Sequence, residues 1–181
     1  MSVIDRSAAG RFVRLAADRL EGEWVLIGGA LLPLLGIPGR TTLDIDIAGP
    51  ADAGPGASLA LMEIAERVGL PVEAVNQAGA FFLRRIDGWQ DHLLPVRRGR
   101  RASILRPDAT LFVLLKLPRL TESDLSDCLA YLGYSCRNAQ PPDAPALLAA
   151  LRKARRQKSD PGRRKRLGLL RAAVAGCQGT G

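Results

Sequence analysis

The chain has 181 residues, enough for one domain with a sizeable core. No run of 18 uncharged apolar residues occurs, which argues against a membrane-spanning helix. The net charge of +8 is uneven: residues 1–96 carry eight Arg, no Lys and twelve acids, a net −4, and residues 97–181 carry eighteen Lys/Arg and six acids, a net +12. This asymmetry points to a polyanionic partner, nucleic acid first.

Residues 5–21 place Phe12, Leu15, Ala16 and Leu20 at near-helical spacing, which predicts an amphipathic helix ending at Gly22. Trp24–Ile27 is a short apolar run that reads as a buried strand, and Gly28-Gly29 breaks it with a turn that allows close approach of backbone to a ligand. Ala30–Leu35 is helix-like and ends at Gly36, Pro38 and Gly39. In Thr41-Thr42-Leu43-Asp44-Ile45-Asp46-Ile47, strand alternation sets Leu43, Ile45 and Ile47 on one face and Asp44 and Asp46 on the other. Two carboxylates so placed stand within roughly 7 Å and together favour a divalent cation, Mg²⁺ being the hard ion that takes carboxylate oxygens, water and phosphates. The plainer alternative is a strand with one wet face.

Gly49–Gly56 is a Gly/Pro/Ala loop, and Ser58–Val68 a helix with Leu59, Met62, Ile64 and Ala65 inward, stopped by Gly69. Leu70–Gln77 is ambiguous. Ala80–Arg85, Asp91–Val96 and Arg101–Leu105 read as strands of an antiparallel meander. Arg97, Arg98, Arg100 and Arg101 crowd a loop around Gly99, as either a solvated tip or a phosphate contact. Pro107–Leu117 has the Pro, the acid and the apolar body of a helix, with Lys116 needing a partner at its end. Thr121 or Ser123 can cap the next helix, on which Asp124 and Asp127 share a face. Beyond a Pro-rich break at 138–145, helical patterns cover 146–157 and 167–175. Between Arg152 and Arg166 stand nine basic residues and one acid, a solvated run that could be partly disordered or could bind RNA backbone. Three cysteines without a C-x-x-C, and His92 as the one histidine, predict reduced thiols and no Zn site.

The strand, Gly28-Gly29, short helix, turn and Arg40-Thr41-Thr42-x-Asp44-x-Asp46 together resemble the first motif of the nucleotidyltransferase (polymerase β-like) superfamily. The nearest likeness is to its small bacterial AbiEii-type members, many of them toxins. Lys116, Arg119, Asp124 and Asp127 fit the outline of a second motif of those proteins, a Lys on an apolar helix followed by an R-x-x-D-x-x-D-like segment.

The resemblance implies an α+β nucleotidyltransferase-like fold over residues 1–135: a small mixed sheet with packed helices, followed by a basic helical C-terminal extension at 143–181. It implies transfer of an NMP from an NTP to a hydroxyl acceptor, RNA, tRNA or protein. Asp44 and Asp46 would bind Mg²⁺. Gly28 and Gly29, with Arg40 and Thr42, would meet the nucleotide, and Lys116 its phosphates. The remaining carboxylate would come from Asp91, favoured over Asp87, or from Asp124 or Asp127. Candidates for nucleic-acid contact are Arg97, Arg98, Arg100 and Arg101, then Arg152, Lys153, Arg155, Arg156, Arg163, Arg164, Lys165 and Arg166. Membership of a toxin–antitoxin pair would add an antitoxin partner. The N-terminus lacks the pattern of a signal peptide, so a cytoplasmic location is expected. A non-catalytic nucleotide- or RNA-binding protein of the same fold is the alternative.

Overall fold

The computed structural model describes residues 3–38, 42–157 and 160–177. The chain is α+β, with one five-stranded mixed sheet and eight α-helices among the described residues. It divides into two compact units, Met1–Pro107 and Asp108–Gly181. The boundary between these units falls where the sheet ends. No helix among the described residues is long and apolar enough to cross a membrane.

In the first unit, α1 (Arg6–Arg19) starts at Asp5, whose side chain accepts from the Ala8 amide, and buries Ala9, Phe12, Val13, Ala16 and Ala17. The other elements are β1 (Gly22–Ile27), α2 (Leu31–Leu34), β2 (Ile45–Ala48), α3 (Pro55–Arg67), β3 (Val75–Asn76), α4 (Gly79–Leu83), β4 (Leu93–Arg98) and β5 (Ala102–Pro107). The sheet order is β3-β2-β1-β5-β4. β1 runs antiparallel to β2 and parallel to β5; β2–β3 is parallel and β4–β5 antiparallel. One face carries Trp24, Leu26, Ile45, Ile47 and Ile104, all buried. The register puts Val25, Ile27, Asp46, Ala48 and Leu105 on the other.

Three expectations fail here. Residues 80–85 form no strand; α4 occupies them. Asn76 Oδ1 accepts from the Ala78 amide, which turns the chain, and Gly79 lies so close to the Ile27 side chain that a Cβ would collide with Cδ1. A short apolar run cannot by itself separate strand from helix. Residues 89–92 are a 3₁₀ turn, so only β4 and β5 remain of the meander, paired around the turn at Gly99. In α3 the inward stripe is Leu61, Ile64 and Ala65; Leu59 and Met62 are exposed.

The second unit is α5 (Ala109–Lys116), α6 (Glu122–Arg137), α7 (Ala144–Arg156) and α8 (Pro161–Gly176). Each begins at a side-chain cap: Asp108, Thr121, Asp143 and Asp160 in turn. Leu111, Phe112, Tyr131, Leu132, Leu147, Leu151, Leu167 and Leu170 fill the core, with Phe112 and Tyr131 edge to face at 4.6 Å. The described part of the basic run is mostly helical: Arg152–Arg156 ends α7 and Pro161–Arg166 starts α8. The expectation of reduced thiols is also corrected. Cys136 and Cys177 form a disulfide with a Cα–Cα distance of 5.9 Å, because packing of α6 on α8 joins residues 41 apart in sequence. Cys128 stays free and buried.

Candidate functional site

The site is built at the end of β1. The chain leaves Ile27 through Gly28 at φ +76°, a left-handed conformation that L side chains rarely adopt. The β1–β2 register sets Asp46 opposite Ile27, and a Cβ on Gly28 would collide with Asp46 Oδ2. Gly28 is therefore needed twice, for its backbone angle and for the room the carboxylate takes. Gly29 follows in the turn that enters α2, its carbonyl accepting from the Leu32 amide. Two of the expected nucleotide residues and one of the expected metal ligands are thus brought together.

Asp44 lies just before β2 rather than within it, and it is exposed; so is Leu43, whereas Ile45 and Ile47 are buried. Thr42 is buried, and its hydroxyl is occupied locally, donating to the Asp44 carbonyl at 3.2 Å and accepting from the Asp44 amide at 3.4 Å. Ile4 donates to the Thr42 carbonyl and fixes this segment to the N-terminal chain. Thr42 thereby positions Asp44. Arg40 lies outside the described residues.

Asp91 does not open a strand. It sits exposed in the 3₁₀ turn Trp89–His92 ahead of β4, an edge strand that lies two positions from β1 and three from β2 in the sheet. The residue registered beside Asp46 on β3 is Asn76, which no motif in the sequence singles out. Among the described residues no group of three or more His, Cys, Asp or Glu is placed to hold a metal ion.

Lys116, Arg119, Asp124 and Asp127 do converge, inside the second unit. Lys116 Nζ donates to Asp124 Oδ1 at 3.1 Å and to Asp127 Oδ2 at 2.9 Å, and all three side chains are buried. Arg119 grips Asp124 with two bonds of 2.7 Å, Nε to Oδ2 and Nη2 to Oδ1. The Thr121 amide and hydroxyl also donate to Oδ2, closing a capping box at the start of α6. Five donors thus fill Asp124. Burial on its own would raise this carboxyl; the Arg119 guanidinium, the Thr121 donors and the Lys116 charge overcome it and hold the group well below its ordinary range. Next to them burial pushes the Cys128 thiol up to about 12, with Lys116 opposing and the two aspartates adding to the rise. The arrangement is a closed ionic lock between α5 and α6.

The basic candidates separate by what they touch. Arg163 donates to the carbonyls of Leu117, Pro118 and Arg119, and Arg166 to the Leu120 carbonyl and to Glu122. These two close the carbonyl end of α5. Arg152, Lys153, Arg155, Arg156, Arg164 and Lys165 are exposed. At the β4–β5 turn Gly99 packs against Ala17, and the Arg100 and Arg101 amides bond Asp18 and the Ala17 carbonyl. Arg101 also pairs with Glu21. Arg97 and Arg98, like their neighbours, stay exposed.

A groove of about 1230 Å³ in the first unit has Val25, Ala48 and Leu105 in its floor, a row two residues along β1 from the Ile27–Asp46 row and on the same face. Arg84 and Trp89 stand in its wall, and the Arg84 Nη2 donates to the Gly49 carbonyl at 2.7 Å. No family model, curated protein or solved structure matches the chain.

Proposed function

We propose that the chain is a Mg²⁺-dependent nucleotidyltransferase that moves an NMP from an NTP to a hydroxyl of RNA. One observation carries the reading: the Asp46 carboxylate packs directly against the left-handed Gly28 turn, so that a carboxylate and a backbone bend adjoin at the end of β1. Asp44, exposed and held by Thr42, stands two residues away. Two hard oxygen donors suit an ion that keeps waters and takes phosphate oxygens for the rest of its shell. Mg²⁺ bound there supplies neutralisation of charge on the triphosphate. Asp44 and Asp46 would hold the ion, and Gly28 and Gly29 would let the backbone approach the triphosphate. The acceptor oxygen forms a bond to the α-phosphorus as the bond to the bridging oxygen breaks. Pyrophosphate leaves with that electron pair, and the hydroxyl proton passes to water. Lys116 and Asp124 do not enter the proposal, because each is taken up by the other.

The test is incubation with each α-labelled NTP, Mg²⁺ and total RNA, beside an Asp44→Ala/Asp46→Ala variant. Label reaching RNA with the wild type alone supports the reading; absence of both transfer and metal-dependent NTP binding ends it. A second reading, a non-catalytic nucleotide- or RNA-binding protein, draws on the lack of a third carboxylate beside Asp44 and Asp46 among the described residues.

A further inference from the structure

The chain has four Phe, and two of them, Phe81 and Phe82, lie on the surface of the first unit. Each is 59% exposed, although they are neighbours. A strand would have sent one inward. The helical turn of α4 turns both out and spends Leu83 on the core instead. The rings meet edge to face, 5.5 Å between centroids and 84° between planes. The Arg85 guanidinium lies 5.1 Å from the Phe81 centroid. Arg84 follows Leu83, and among the described residues no carboxylate pairs with either guanidinium. The helix is anchored beside the candidate site: Gly79 presses on Ile27, whose register partner is Asp46.

We propose that Phe81, Phe82, Arg84 and Arg85 form a stacking platform for the bases of single-stranded RNA, presenting the acceptor strand to the Asp44/Asp46 site. Exposed aromatic rings next to guanidinium groups are the combination that binds single strands: rings and guanidinium planes take base faces, and the positive charge takes the backbone. The segment 79–86 contains two Arg and no acid, so its charge matches that occupant. A protein surface would favour the same rings but gains little from two guanidiniums that pair with no carboxylate among the described residues. The inference rests on the nucleotidyltransferase reading only in naming the strand as acceptor.

The test is fluorescence anisotropy with the full chain in EDTA and without NTP, so that binding is read apart from transfer. The probes are a labelled single-stranded ten-residue RNA and an abasic strand with the same number of phosphates. The wild type is expected to prefer the RNA. Phe81→Ala/Phe82→Ala lowers RNA affinity about tenfold or more, the size expected from the loss of one or two stacked bases, and leaves abasic binding unchanged. Phe81→Trp/Phe82→Trp keeps the preference, which separates stacking from damage to the fold. Equal wild-type affinity for both strands overturns the proposal. So does an Ala variant that loses both equally, or loses neither. A dimer in the wild type that the Ala variant abolishes, with RNA affinity unchanged, assigns the patch to a second copy and overturns it as well. Base-dependent binding by the phenylalanines, with neither label transfer nor metal-dependent NTP binding, leaves the platform standing and removes the enzyme reading.

Discussion

The Asp46 carboxylate lies where a Cβ on Gly28 would have to be. The contact ties the end of β1 to β2 through a side chain as well as through the strand ladder, and it makes the glycine and the acid one unit.

Gly28→Ala is therefore expected to cost more than a backbone angle. Gly69 supplies the control, since its φ is +77° but nothing lies within 4 Å of an added Cβ. Gly69→Ala should cost about 1 kcal/mol from backbone strain, and Gly28→Ala about 1–3 kcal/mol with loss of metal-dependent NTP binding. Urea denaturation and NTP titration of the two variants read the difference. Equal effects would show that Asp46 moves aside freely.

Lys116→Met should be among the most damaging single substitutions in the second unit. It leaves Asp124 and Asp127 buried without their shared ammonium, and removing one partner of a buried ion cluster costs about 3–5 kcal/mol. Chemical denaturation followed by circular dichroism measures it.

The acid limb of stability should carry the signature of Asp124. Its native pKa is lowered from an ordinary 3.8. A carboxyl depressed in the folded state binds its proton more readily when unfolded. Its contribution is thus fully present above the unfolded value and is lost as pH falls from there through the native one. Asp124→Asn should flatten stability against pH in that acid window and leave the slope near neutrality unchanged, as melting temperatures across pH would show.

Arg163 and Arg152 should behave differently although both belong to one basic run. Arg163→Gln removes donors to three carbonyls and is expected to destabilise by about 1–3 kcal/mol. Replacing the exposed Arg152, Lys153, Arg155 and Arg156 by Gln should leave the melting temperature nearly unchanged and reduce the salt dependence of RNA binding.

Thiol titration should find no reactive group in the folded, oxidised protein. Cys128 is buried with its pKa pushed up to about 12, and the other two cysteines are joined. Reduction should expose two thiols and lower stability by about 2–4 kcal/mol.

The sequence by itself determined features whose causes are local. Thr121 starts a helix because its side-chain oxygen reaches an amide three residues on. The Trp24–Ile27 run is a buried strand because four apolar residues ahead of two glycines leave little else. Gly28, Gly29, Asp44 and Asp46 could be singled out as candidates from their spacing and the family resemblance together. The helical identity of residues 79–83 was not legible, since Ala-Phe-Phe-Leu fits either backbone and the choice fell to Gly79 against Ile27. Only the tertiary structure decided that Asp46 meets Gly28, that Lys116 is consumed by Asp124 and Asp127, that Arg163 and Arg166 cap α5 from α8, and that Cys136 finds Cys177. In the last two cases the partners lie more than forty residues apart in the chain. No local propensity spans that distance; the pairings exist because burying the apolar faces of strands and helices leaves those polar groups only one another as partners.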